Sequence, residues 1–355
     1  MIQFHIEAPD KGLEAALQDK IDNLTKPKGS LGTLEALALQ VGLIQQTLSP
    51  VLRHPVNVIY ASDHGIADEG VSKSPKEVTR QVIHNFLNGG AGVCYLARQH
   101  GFELKIVDGG VDFDFPVIPQ LIDRKVRKGG TRNFLHEAAM TVEEMEKALQ
   151  YGADIVTDCY NEGCNVISFG EMGIGNTTTS SMLVAALTGR TAEEVTGRGA
   201  GLNDAGLLRK QQVIAQALEK YEKEIRSEHA LSMLAAFGGL DIAGMAGVCI
   251  GGALYHVPVV LDGLISSVAA LVAERIVPGV REFVLPSHLS KEPAAKWIAE
   301  ELKLHPVIDA GLGLGEGTGA VMLFSLLDLA LALYEDQTTF DTMEIAQYER
   351  YEETE

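Results

Sequence analysis

Val166-Ile167-Ser168-Phe169-Gly170-Glu171-Met172-Gly173-Ile174-Gly175-Asn176-Thr177-Thr178-Thr179 runs from a short apolar strand through a glycine-rich turn into an apolar helical pattern. Farther along, Val307-Ile308 leads to Gly311-Leu312-Gly313-Leu314-Gly315-Glu316-Gly317-Thr318-Gly319 and another apolar helix, on the same plan. Each turn carries one carboxylate among backbone amides. Strand, glycine turn and helix in that order place both turns at the carboxyl edge of a parallel sheet, where α/β proteins bind substrates.

Outward from these turns, short apolar runs alternate with helical patterns. Strands are predicted at Val56 to Ala61, Lys105 to Asp108, Val166 to Phe169, Val257 to Leu261, Glu282 to Leu285 and Val307 to Ile308. Helices are predicted at Glu77 to Leu87, Thr141 to Tyr151, Thr177 to Leu187, Leu207 to Ser227, Leu264 to Arg275, Pro293 to Leu302 and Val321 to Tyr334. Thr141 followed by Glu144 reads as a capping box. The fold class is α/β: three layers, a mostly parallel sheet with helices on both faces. Residues 1–50 show helical spacing only, at Gly12 to Lys20 and Leu31 to Leu48, and read as a small helical appendage joined by C-terminal helices at about 336–355, leaving 51–335 as the α/β catalytic domain. The acidic end of the chain is expected to be solvated. No fixed-period repeat occurs, which removes solenoids and propellers.

Composition narrows the partners. With 355 residues and 46% hydrophobic content the chain can bury a large core. A net charge of -19 and a pI near 4.9 repel a polyphosphate backbone, so nucleic acid is disfavoured. A small anion is still acceptable, because local groups such as Lys125, Arg127 and Lys128 act at short range. The N-terminus shows no basic segment followed by an apolar one, and a cytoplasmic setting is expected. The longest uncharged apolar run, Ile242 to Tyr255, has 14 residues, short of the roughly 20 that span a bilayer, and reads as a buried helix. Cys94, Cys159, Cys164 and Cys249 lack metal-ligand spacing and read as buried thiols.

Four constellations offer chemistry, each with a plainer alternative. The amides that open the helix after Gly175 suit a phosphate, or the segment is an ordinary turn capped by Asn176 or Thr177. Glu316, expected to be held ionised by adjacent amides and a helix dipole, can accept a proton from a substrate, or it caps the helix starting near Thr318. The segment Thr196-Gly197-Arg198-Gly199-Ala200-Gly201-Leu202 offers a guanidinium and flexible backbone, with Lys210 eight residues on, facing either the loop or water. Asp63 and His64, in Ser62-Asp63-His64-Gly65, end the first strand and read as a hydrogen-bonded structural pair, since no second histidine has ligand spacing. No Gly-x-Ser-x-Gly elbow occurs, which disfavours acyl-enzyme hydrolysis.

Taken together, Lys26-Pro27-Lys28-Gly29-Ser30-Leu31-Gly32, Ser62-Asp63-His64-Gly65, the run Val71 to Gln81, Gly170 to Thr178, Asp262-Gly263-Leu264-Ile265-Ser266-Ser267 and Leu314 to Ala320 resemble one family in order along nearly the whole chain. It is the nicotinate-nucleotide:dimethylbenzimidazole phosphoribosyltransferase family of cobalamin lower-ligand synthesis. The resemblance implies transfer of phosphoribose from nicotinate mononucleotide to dimethylbenzimidazole with inversion to the α-glycoside, by a homodimer, with no metal or cofactor. It makes Glu316 the general base, gives Ser74, Gln81, Met172 and Leu314 to the benzimidazole pocket, and assigns the nucleotide and its phosphate to Glu171, Gly173, Gly175, Asn176, Gly199, Gly201 and Lys210. Ala200 stands where some relatives have threonine, and Ser62 where alanine or glycine is frequent, which touches substrate preference rather than reaction class. Two alternatives stand beside it: a phosphoribosyltransferase using another donor or acceptor, and a non-catalytic nucleotide-binding relative. A diphosphate-dependent enzyme needs an acidic pair beside a threonine-rich loop, which is not found here.

Overall fold

The computed structural model describes residues 2–347. Strands β1 (Val56–Ser62), β2 (Glu103–Gly110), β3 (Leu121–Asp123), β4 (Ile167–Met172), β5 (Val259–Leu261) and β6 (Val284–Pro286) form one parallel sheet in the order β3-β2-β1-β4-β5-β6. The chain winds outward from β1 to β3 on one side and from β4 to β6 on the other. Connections therefore diverge between β1 and β4, opening a crevice at their carboxyl ends. In register, Tyr60 lies beside Glu171 and Ala61 beside Met172. The first glycine turn thus sits at the head of that crevice.

β1 is buried along its whole length, as an apolar strand covered on both faces must be. Tyr60 points to one face, where its ring fills the space over Gly244 on the helix Leu240–Tyr255. Gly170, one residue out of phase with Tyr60's partner, points to the other face and lies against the backbone of Glu316 and Gly317, just before the helix Thr318–Asp336. This second contact brings the two glycine turns together.

The run read as a buried helix is one: Leu240–Tyr255 packs along Val142–Asn161. Glycines on both helices permit the approach, since a Cβ on Gly152 would overlap the Gly244 carbonyl and one on Gly247 the Leu149 carbonyl. Thr141 and Glu144 form both bonds of the capping box. By length and composition alone the helix Thr318–Asp336 could cross a membrane, a property that Asp328 obscured in the sequence. Here its Leu323, Phe324, Leu327 and Leu331 are core residues.

Four elements depart from the sequence reading. Val307–Ile308 is not a strand; the pair, set between Pro306 and Asp309, makes one parallel bridge, Ile308 to His288. The second turn therefore reaches the sheet through Gly170 rather than from a strand of its own. The short edge strand β3 and the helices Gly92–His100 and Ala230–Phe237 were not anticipated. Near the chain ends, Leu24 bridges Thr339, Thr25 N–H donates to the Thr338 carbonyl (2.9 Å) and Phe340 N–H to the Asn23 carbonyl (2.8 Å). Much of the acidic end, beyond residue 347, lies outside the described residues.

Candidate active site

Glu316 adopts φ +64 between Gly315 and Gly317, both at φ +84. Three consecutive left-handed residues are costly, most of all for the glutamate, whose Cβ crowds the backbone in that region. The turn is held from behind by Asp262, which follows β5. Its Oδ2 accepts from Gly317 N–H (3.0 Å) and its Oδ1 from Gly319 N–H (2.8 Å). Asp262 thus occupies the first amides of the helix Thr318–Asp336, leaving Glu316 with no capping role there. Burial pushes the Asp262 carboxyl above its usual range, while His288, with Nδ1 3.8 Å from Oδ1, and the turn amides work the other way.

The Glu316 carboxylate instead faces the N-terminus of another helix, Gly92–His100, where the Val93 amide favours its charged form. Its Oε2 is buried with no partner among the described residues. Burial raises its pKa above the ordinary carboxylate value, the Val93 amide opposes this, and Asp262 adds to it. The expectation of a carboxylate simply held ionised by its own turn is therefore corrected: desolvation outweighs the amide and leaves Glu316 a stronger base.

Glu171 faces this turn across β4; a Cβ on Gly315 would sit 2.6 Å from its Oε1. Desolvation pushes the Glu171 carboxyl up to about 8; its hydrogen bond from Asn176 opposes this, and Asp241, Asp262 and Glu316 add repulsion. Asn176 Nδ2 donates to Glu171 and lies 3.4 Å from Asp241 Oδ2. Asp241 continues to His64 Nε2 at 3.0 Å, and His64 Nδ1 meets Thr179 Oγ1 at 3.0 Å. His64 and Asp241 are wholly buried. His64 is thus paired with Asp241 rather than with Asp63, whose Oδ2 accepts from Asp112 N–H (2.8 Å). Neighbouring side chains on extended backbone point to opposite sides, which prevents the expected pair.

A third group lies beyond Asn176. Lys210 is 0% exposed; its ammonium donates to Thr177 Oγ1 (2.9 Å) and the Gly197 carbonyl (3.4 Å), without an ion-pair partner among the described residues. Burial lowers its pKa to about 8, and Glu292 partly restores it. A buried ammonium with only neutral partners leaves its charge uncompensated and can receive an anion. Gly199, at φ +50, borders it: a Cβ there would lie 3.0 Å from Thr177 Oγ1 and 3.6 Å from Lys210 Nζ. Gly201, at φ +100, has open space around it.

Glu171, Met172, Gly173, Asn176 and Glu316 therefore gather at the head of the crevice, with Gly199 and Lys210 joined to them through Thr177. Gly173 and Gly175 are glycines for packing reasons: side chains there would meet Ser62 O and His64, or His64 and Ala67. They are not an open phosphate cradle, and Gly175 itself is the N-cap. Leu314 is exposed and lies over Gly92 beside the Glu316 carboxylate site. Ser74 lies in the loop before, and Gln81 on, the helix Glu77–Leu87, which is pinned to the turn where Ile174 N–H donates to Thr79 Oγ1 (3.2 Å). Neither is hydrogen-bonded to a glutamate turn. Sequence reasoning missed Asp262 and Asp241 as site residues; the available signal was an aspartate just past a strand in one case and one in an otherwise apolar helix in the other.

A phosphoribosyltransferase family matches residues 6–345. The nicotinate-nucleotide–dimethylbenzimidazole phosphoribosyltransferase of Parabacteroides distasonis is 65% identical over 348 residues, 98% of this chain and 100% of the relative. A protein of the same name from Bacteroides fragilis is 48% identical over the same 98% and 100%. The crystal structure of CobT from Thermus thermophilus superposes with a TM-score of 0.90 at 39% identity, covering 95% of this chain and 99% of that one.

Proposed function

The chain belongs to this phosphoribosyltransferase family, and on that premise we propose that it transfers the 5-phosphoribosyl group of nicotinate mononucleotide to 5,6-dimethylbenzimidazole or a related base, giving α-ribazole 5′-phosphate and nicotinate for the lower ligand of cobalamin. A ring nitrogen of the base attacks C1′ of the ribose from the face opposite nicotinate. The new N–C1′ bond forms as the bond to the pyridinium nitrogen breaks, its electron pair staying on that nitrogen, so nicotinate leaves without needing a proton at the ring. The configuration inverts from β to α. The benzimidazole ring proton passes to Glu316.

The observation that carries this reading is the state of Glu316: a carboxylate facing the Val93 amide, its Oε2 buried and unpartnered among the described residues, in a turn whose helix amides Asp262 has taken. Such a carboxylate can accept a proton and has no capping duty. Glu171, with its pKa near 8, is protonated at neutral pH. The two carboxyls thus differ in role, Glu171 keeping its proton while accepting from Asn176, and Glu316 serving as base. Ser74, Gln81, Met172 and Leu314 are proposed to hold the benzimidazole, and Lys210, Thr177 and the Gly199–Gly201 backbone to hold the 5′-phosphate, with Gly173, Gly175 and Asn176 shaping the turn beneath. A homodimer in a cytoplasmic setting belongs to the same reading.

The test is incubation of the purified protein with nicotinate mononucleotide, with and without dimethylbenzimidazole, followed by chromatography and mass measurement. Nicotinate release that requires the base, with ribazole phosphate formed, is expected. Release without base would make the protein a nucleotide hydrolase. Binding without release would make it a non-catalytic relative.

A further inference from the structure

The anion pocket around Lys210 holds a second, opposite imbalance. Glu292, in the loop between β6 and the helix Ala294–Leu302, sends its carboxylate onto the Gly197–Gly199 backbone, where Oε1 accepts from Gly199 N–H at 3.0 Å. Its Oε2 is buried with no partner among the described residues. Lys210, beside it, is a buried ammonium with no anion in ion-pair range among the described residues. The carboxylate therefore takes one amide of the pocket without satisfying the lysine, and leaves one of its own oxygens shut away from water.

We infer that the Glu292 carboxylate is an internal competitor for the substrate's 5′-phosphate, held on the Gly199 amide in the empty enzyme and displaced to solvent when the phosphate binds. This rests on the reading of the Lys210 pocket as the phosphate site. A phosphate has enough oxygens to take the Gly199 amide and the Lys210 ammonium together, which one carboxylate in this position does not do. Displacement is open to the loop, because Leu289, Lys291 and Pro293 around Glu292 are exposed. Glu292 thus sets nucleotide affinity without taking part in the chemistry. Glu292 also acts on the buried lysine at a distance, its negative charge favouring the ammonium form.

The test is calorimetric titration of the intact protein with inorganic phosphate, for wild type, Glu292→Gln and Lys210→Met, with steady-state kinetics alongside. Glutamine keeps the shape and removes the charge. We expect phosphate to bind E292Q about tenfold more tightly, the worth of one charge-assisted hydrogen bond relieved of competition, and K210M to lose phosphate binding. KM for nicotinate mononucleotide should fall in E292Q by a similar factor, with KM for the benzimidazole unchanged. Unchanged or weaker phosphate binding in E292Q would overturn the inference, as would phosphate binding that survives in K210M. The titration needs no turnover: tighter phosphate binding in E292Q from a protein that releases no nicotinate would uphold this inference while removing the transferase reading. Trp297, the single tryptophan, lies five residues beyond Glu292 on the adjoining helix, so a fluorescence change on adding phosphate offers a second readout of loop displacement.

Discussion

Asp262→Asn tests how the fold aims Glu316. The aspartate accepts two turn amides, Gly317 N–H at 3.0 Å and Gly319 N–H at 2.8 Å, one per oxygen. Asparagine keeps the size and one acceptor but turns an NH2 toward the other amide. One charge-assisted bond is lost, about 1.5–3 kcal/mol, and with it a negative charge at a helix N-terminus, about 0.3–1 kcal/mol. Relief from burying a charged carboxyl offsets part of this. A net loss of about 2 kcal/mol is expected in urea unfolding, with an unchanged m-value. Turnover should suffer more than stability. The left-handed Glu316 residue costs roughly 1–3 kcal/mol and persists only while its surroundings hold it. Once one tether is gone the turn can relax, and a displacement of about 1 Å lowers kcat by about a hundredfold. KM for nicotinate mononucleotide should stay near wild type, because the Lys210 pocket is untouched. Turnover within about twofold of wild type, in a variant shown to be less stable, would refute the claim that Asp262 positions the base.

Two further substitutions separate stability from function. In Lys210→Met the unpaired buried charge disappears: the lysine pKa falls from 10.5 to about 8 on folding, so at neutral pH the cost is present in full and fades as pH rises from about 8 toward 10.5. Without substrate the variant should be more stable than wild type at pH 7 by about 1–3 kcal/mol, while KM for nicotinate mononucleotide rises tenfold or more; equal KM would place the phosphate elsewhere. Glu171→Gln reports on the second carboxyl. Folding raises its pKa from 4.5 to about 8, so the folded state keeps a proton that the unfolded state has lost, and wild-type stability falls as pH climbs through that window. The variant should gain on wild type between pH 5 and 8, by up to about 4 kcal/mol, and level off above; a pH-independent difference in melting temperature would show that Glu171 is ionised throughout.

The glutamate turns were legible because glycine spacing after an apolar run constrains the backbone locally, and the same local logic located five of the six strands and the capping box at Thr141. What Glu316 touches was not legible. The Val93 amide that faces it opens a short helix of nine residues, more than 200 positions away in the chain. Asp262 stood in a recognisable segment, yet its task depends on β5 lying beside the Thr318 helix, which only tertiary packing decides. Gly173 and Gly175 illustrate the reverse error. The pattern suggested room for a ligand, whereas the space is filled by Ser62, His64 and Ala67. Lys210 was ambiguous in sequence between water and loop; the neighbouring Thr177 and Gly197 resolve it. Edge strand β3 has only three residues, Leu121-Ile122-Asp123, too short for its two apolar side chains to show a strand period.

The central claim is that Glu316 removes the benzimidazole proton. The most direct test is single-turnover measurement on Glu316→Gln with saturating nicotinate mononucleotide and dimethylbenzimidazole, alongside nucleotide affinity by calorimetry. Loss of a placed general base should slow product formation by about a hundredfold or more, with nucleotide affinity preserved. Wild-type rates in that variant would contradict the assignment and move the proton to another acceptor.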